Sequence, residues 1–200
     1  MALMAVTLVV ASGVALAVAR SGGPGNDTLR GTNGPDALSG NGGDDVLLGF
    51  RGTDGMDGGA GRDAVLGGNE FGPLAGDRAL KGGPGGDFVG GGKGSDGLSG
   101  GPGRDYMFAG PPFGEAADDI DAVAAGGGDD AGEVKNVPAA KDVIDCGSGF
   151  DGVLVDSKDV TSDCERVFTS PGRFFRFLFN SNYNYFEPLN LIAAPVDPGP

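Results

Sequence analysis

The chain contains no histidine and no tryptophan. Without imidazole there is no Ser-His-Asp triad, no HExxH zinc site and no ordinary catalytic zinc centre. Aromatic residues make up only 8% of the 200 positions, too few for a large conventional core. Basic residues are scarce: 14 Lys and Arg stand against 28 acids, a net charge of −14. That argues against nucleic acid as a partner, because binding it needs basic patches. HExxH does not occur, and no His is present to serve a nucleophile, so no enzyme is expected. There are only two cysteines, Cys146 and Cys164, eighteen apart. In an exported chain an even count suggests one disulfide. Two unbridged thiols or a two-cysteine metal site are the other readings, the last without a His to complete it.

Glycine and aspartate take up the space. Gly fills 42 of the 200 positions, and 23 of the 28 acids are Asp. Written from Gly22 in lines of nine, the chain reads GGPGNDTLR, GTNGPDALS, GNGGDDVLL, GFRGTDGMD, GGAGRDAVL, GGNEFGPLA. Six residues, Gly76 to Lys81, break step; GGPGGDFVG, GGKGSDGLS and GGPGRDYMF follow. Position 1 is Gly in all nine lines, position 4 is Gly in eight and position 6 is Asp in eight. Position 8 is always apolar: Leu29, Leu38, Leu47, Met56, Val65, Leu74, Val89, Leu98 and Met107. Glycine on this phase excludes collagen, which needs it at every third residue. Asp locked to one phase is a poor match for a merely solvated acidic face.

A fixed period of this kind sets the architecture. Positions 1 to 6 are rich in residues that tolerate positive φ and turn the chain. Positions 7 to 9 alternate, so one side chain points inward from a very short strand. Two nines make one coil of a flattened solenoid, and stacked coils give two parallel sheets with the position-8 side chains between them. One apolar residue in nine buries too little to order the other eight, several of them glycine. A divalent cation taking the Asp carboxylates and the turn carbonyls would supply the missing order.

The nonapeptides resemble the haemolysin-type (RTX) calcium-binding repeat, GGxGxDxUx. The resemblance implies an all-β fold, a parallel β-roll, with several calcium ions between successive turns on both edges. Carried over by position, the ligands are Asp27, Asp36, Asp45, Asp54, Asp63, Asp87, Asp96 and Asp105. Turns two repeats apart share an edge, which pairs Asp27 with Asp45, Asp45 with Asp63, Asp36 with Asp54, and Asp87 with Asp105. On that scheme Asp45 lies between two neighbours and Asp96 does not, so Asp45→Ala should do more harm. The line 67–75, with Glu70 and Gly72 in place of Gly and Asp, lacks a ligand and splits the roll into six repeats and three. Gly76 to Lys81 should form a shortened turn that keeps Leu80 in the apolar row.

The remaining segments are read as follows. Residues 1–19 are apolar, and Ala17-Val18-Ala19 has the form of a signal-peptidase site, although no Lys or Arg precedes it. A cleaved signal peptide, a membrane anchor and a buried helix are the readings; the first two place the rest outside the cell. The calcium repeats span 20–108. Residues 109–136 read as a loop excursion with one degenerate repeat, Asp118 and Ile120 in the Asp and apolar places, Pro111-Pro112 in a loop, and Asp129-Asp130 as solvated acids or, the weaker reading, a calcium candidate. The phase returns over 137–168, with Asp142 and Ile144 in place and Asp151 as a further metal candidate. This stretch resembles the closing segment of exported calcium-repeat proteins and implies a cap stapled by a Cys146–Cys164 bridge. Residues 169–200, with seven aromatics and then prolines, read as a poorly ordered tail or as a contact patch for a cell surface or membrane. The expected protein is a secreted, monomeric calcium-binding module. The alternatives are a cytolysin or adhesin acting through the tail and, least in keeping with the residues, a fragment of a repeat-bearing protease or lipase.

Overall fold

A computed structural model describes residues 7–9, 17–69, 76–77, 79–110, 120–134, 141–149 and 151–180. The strands are Thr7–Val9 (β1), Ala17–Ser21 (β2), Thr28–Arg30 (β3), Ala37–Gly42 (β4), Val46–Phe50 (β5), Gly55–Ala60 (β6), Ala64–Asn69 (β7), Ala79–Lys81 (β8), Phe88–Lys93 (β9), Gly97–Pro102 (β10), Tyr106–Phe108 (β11), Ala122–Gly127 (β12), Ala131–Glu133 (β13), Val143–Asp145 (β14), Gly152–Leu154 (β15), Val160–Ser162 (β16) and Arg166–Phe168 (β17). One helix follows, Pro171–Asn180 (α1). Strands go alternately to two sheets, β1-β2-β4-β6-β8-β10-β12-β14-β16 and β3-β5-β7-β9-β11-β13-β15-β17. Apart from β1, which pairs antiparallel with β2, every neighbour is parallel. This is the parallel β-roll expected from the repeat.

The register explains why position 8 is apolar. Leu29, Leu47, Val65, Val89 and Met107 stand opposite one another across one sheet. Leu38, Met56, Leu80, Leu98, Val123 and Ile144 do so across the other. The two rows meet in a single buried core. Because each side chain packs on its own counterpart one coil away, like residues recur at like depth.

The break after Asn69 does not divide the roll. Leu80 enters the apolar row between Met56 and Leu98. Asp77, buried, takes the Asp place three residues before Leu80 instead of two. The sheets run on through β7, β8 and β9, so the register survives the break. The predicted two-block division is therefore corrected; Leu74 lies outside the described residues.

Residues 122–133, expected as part of a loop, form a further coil made of β12 and β13. Asp121 and Val123 fill the Asp and apolar places, while Ile120 is 51% exposed and off the row. Asp118 and the Pro111-Pro112 loop lie outside the described residues. Ala17–Ser21, expected at the end of an export segment, pairs with β4 at the first end of the roll. Of the remainder of that segment only Thr7–Val9 is described.

The start of the expected disordered tail is ordered. Ser170 precedes Pro171, a favoured order for opening a helix, and its carbonyl accepts the N–H bonds of Arg173 and Phe174. Phe174 and Leu178, one turn apart, are buried, with Phe177 half-buried between them. They cover the outer face of β15 and β17, where Gly152 leaves room for the Phe177 ring. Phe168 meets the rings of Phe174 and Phe177. Residues 181–200 lie outside the described residues.

Cys146 and Cys164 form a disulfide with Cα atoms 5.1 Å apart. It ties the turn after β14 to the turn between β16 and β17, stapling the last coil. Replacing both by Ser should cost about 3 kcal/mol, the chain-entropy value for a loop of this size. Denaturant unfolding of the double variant checks it; an unchanged midpoint would show that the last coil holds without the staple.

Candidate metal centre

From Asp36 onward each position-6 Asp sits where the turn meets the strand, and its carboxylate accepts a backbone N–H of the preceding coil. On one edge the N–H of Asp27 donates to Asp45 Oδ1 at 2.7 Å, and the pattern repeats through Asp63, Asp87, Asp105, Asp130 and Asp151. On the other edge Val18 N–H donates to Asp36 Oδ1, and the series continues through Asp54, Asp77, Asp96, Asp121 and Asp142. The ends differ in kind. Asp159 closes one series, accepting from Asp142 at Oδ1 and from Asp156 at Oδ2. Glu165 closes the other, accepting from Asp151.

All nine predicted carboxylates therefore lie in two continuous rows. Asp77, Asp121, Asp130 and Asp142 join them. Asp130, read as solvated, is buried, while its neighbour Asp129 faces Arg104. The pairing scheme also changes. Asp96 stands between Asp77 and Asp121 as Asp45 does between Asp27 and Asp63, so the expected asymmetry between Asp45→Ala and Asp96→Ala disappears.

Only one oxygen of most carboxylates is used. Oδ2 of Asp45, Asp54, Asp63, Asp77, Asp87, Asp105, Asp130 and Asp151 is buried with no hydrogen-bond partner. Such an orphaned group is costly unless something else binds it. At the first coil Oδ2 of Asp27 and Asp36 instead accepts the N–H of Gly23 and Thr32. The orphaned oxygens have company. A methyl group placed on Gly58 would stand 2.6 Å from Asp63 Oδ2 and 2.7 Å from the Gly82 carbonyl oxygen. On Gly82 it would stand 2.5 Å from Asp87 Oδ2 and 2.8 Å from the Gly100 carbonyl. A carboxylate oxygen and a carbonyl of the next coil thus converge beside the first glycine of each repeat.

Among the described residues no three acidic, His or Cys side chains cluster. Any ion held here takes most of its oxygens from the backbone. Hard oxygen donors, one charged and the rest carbonyl, suit calcium. Position 1 is Gly because a Cβ would occupy the space where these oxygens meet. Gly58→Ala should therefore cost about 1–3 kcal/mol by overpacking and weaken metal binding. Calorimetric titration of the variant with calcium checks this, and parent-like affinity would refute it.

Burial governs the electrostatics. Desolvation pushes Asp45, Asp54 and Asp63 up to about 6. It pushes Asp77 and Asp130 up to about 7, and Asp87 and Asp105 up to about 8. The N–H bond from the preceding coil works against this, and the neighbouring carboxylate adds to it. Without a cation, Asp87 and Asp105 in the middle of the first row resist ionisation at neutral pH.

Residues 21–56, 30–65 and 80–111 match the profile of the RTX calcium-binding nonapeptide repeat, in four copies. No curated protein and no solved structure matches the chain. The fold and the rows of half-satisfied carboxylates define a calcium-binding parallel β-roll. The chain carries the haemolysin-type RTX repeat, which binds several calcium ions. The matched segments stop at residue 111, whereas the Asp rows continue to Asp151.

Proposed function

We propose that this is an exported protein whose roll is ordered by extracellular calcium, with a structural and binding role and no catalysis of its own. The ligands are Asp27, Asp36, Asp45, Asp54, Asp63, Asp87, Asp96, Asp105 and Asp151, joined by Asp77, Asp121 and Asp130. The observation that carries the reading is the row of buried Oδ2 atoms with no protein partner. Binding to the folded state alone stabilises it by RT ln(1 + [L]/Kd) per site. Extracellular modules often bind calcium with Kd about 10⁻⁴–10⁻³ M, so a cytosol would leave the chain unfolded and the outside would order it. Among the described residues no helix is long and apolar enough to cross a membrane.

Calorimetric titration with calcium, followed in parallel by circular dichroism, tests the proposal. Heat of binding should accompany a gain of β signal over the same calcium range. Identical spectra in chelator and in excess calcium would overturn it. The cytolysin or adhesin reading loses part of its support, because Phe174 and Leu178 of the aromatic segment are buried against the chain's own sheet.

A further inference from the structure

The outer faces of the two sheets are built alike and buried differently. The residue before each inward side chain points outward. Across the first sheet Ala37 and Ala122 are exposed in this place. Val143 and Val160 share it as in-register neighbours, and each is 49% exposed. Across the second sheet the same place holds Val46, Ala64, Phe88, Tyr106 and Ala131, opposite one another on successive coils. All five are buried, Val46 to 5% and Ala64 to 0% exposure. Contact between neighbours does not bury an outward side chain, since the paired valines stay half open. Something lies over the second face.

Helix α1 is the start of that cover. It sits on β15 and β17, and Phe174 and Leu178 belong to one apolar cluster with Leu154, Ala131, Tyr106 and Phe88. Val46 and Ala64 lie further along the roll. Their strands, β5 and β7, are the fifth and fourth beyond β15, roughly 24 and 19 Å away at the usual strand spacing. A helix of ten residues is about 15 Å long, too short to cover the row.

We propose that residues 181–200 continue from α1 along this face and cover the row as far as Val46. The chain leaves α1 at Asn180 already on the face. Twenty residues reach up to about 66 Å when extended, well beyond the distance required. The segment carries Tyr183, Tyr185, Phe186, Leu189, Leu191 and Ile192, with two acids and no base, which suits an apolar row. The five covered residues come from five coils and line up only when those coils are stacked. The segment is thus a clasp that closes over the assembled roll. The clasp goes beyond calcium binding and does not rest on it, because it needs stacked coils whatever orders them.

The test uses the full chain in calcium and its own tyrosines. There is no tryptophan, and two of the three tyrosines lie in the segment; the third is the buried Tyr106. Acrylamide should therefore quench little of the tyrosine emission of the folded parent. Ala64→Glu puts an unpaired charge under the clasp. It should raise the quenchable share to about two-thirds, two tyrosines of three, and lower the melting temperature by about 5 °C or more. Ala37→Glu, in the same place on the other sheet, should change neither. Phe186→Ser/Leu189→Ser leaves the sheets untouched and should raise quenching as Ala64→Glu does, with the β circular dichroism of the parent. Free quenching of two tyrosines in the folded parent would overturn the clasp. Equal effects of Ala64→Glu and Ala37→Glu would do so as well. Shielding that disappears on dilution, as a sedimenting dimer becomes a monomer, would give the face to a second copy of the chain and overturn it too.

Discussion

In chelator at pH 8 the roll is expected to unfold, and acidification towards pH 4 to restore part of it. The sign follows from the buried carboxyls. Asp87 and Asp105 are pushed up to about 8, and Asp77 and Asp130 to about 7, against an ordinary value of 3.8. Between about pH 4 and pH 8 the metal-free folded chain holds more protons than the unfolded one, so its stability falls as pH rises. The stability is fully present below pH 3.8 and is lost through the window from about 6 to about 8 as the successive groups ionise. Calcium reverses the slope. Its ligands must be deprotonated, so binding releases protons and strengthens with pH. Melting curves across that window, with and without calcium, should therefore run in opposite directions. Parallel curves would mean that these carboxyls do not hold the ion.

Asp87→Asn should separate the two parts each carboxylate plays. The amide oxygen can still accept the Asp63 N–H bond that Asp87 Oδ1 accepts at 2.8 Å. It removes the charge and the orphaned Oδ2. The variant should melt higher than the parent in chelator at pH 8 and lower in calcium. Each kcal/mol moves the melting temperature of a chain this size by about 2–4 °C, and at least about one kcal/mol, the net worth of a hydrogen bond, should shift in each direction. Asp77→Asn should behave like Asp54→Asn, although the nonapeptide pattern assigns Asp77 nothing. A fall of melting temperature in both solutions would make these residues structural only.

The regular part of this architecture can be read directly from the repeats. Nine-residue spacing fixes turn, strand and inward side chain, and the eighteen-residue register of the Asp rows follows from two nines per coil. What escapes is whatever the coil keeps while the period is lost. Asp77 precedes its apolar partner by three residues, and Asp121 lies 25 residues after Asp96, because insertions at a turn leave the stack in register. Asp130 has no apolar signal at all. Its inward position is Gly132, which faces Val153 and Met107, so pattern reading sees only a short acidic run. The helix was missed for another reason. Phe174, Phe177 and Leu178 are spaced for one face, but their partner is the outside of a sheet that the repeat marks as solvent-facing. The three apolar residues Phe88, Tyr106 and Leu154 on that outer face, all buried, were the available sign.

The disulfide has a mechanical consequence. Coils touch only their immediate neighbours, so tension on the chain would peel them from an end, each releasing one loop of slack. Force applied at the helix end would strip α1 and β17 and then meet the Cys146–Cys164 link, which keeps the residues between the two cysteines from being drawn out. Force applied at the first strands meets no such stop. Pulled from the helix end, the chain should therefore extend further after reduction than with the link intact, by the length of the loop the link closes.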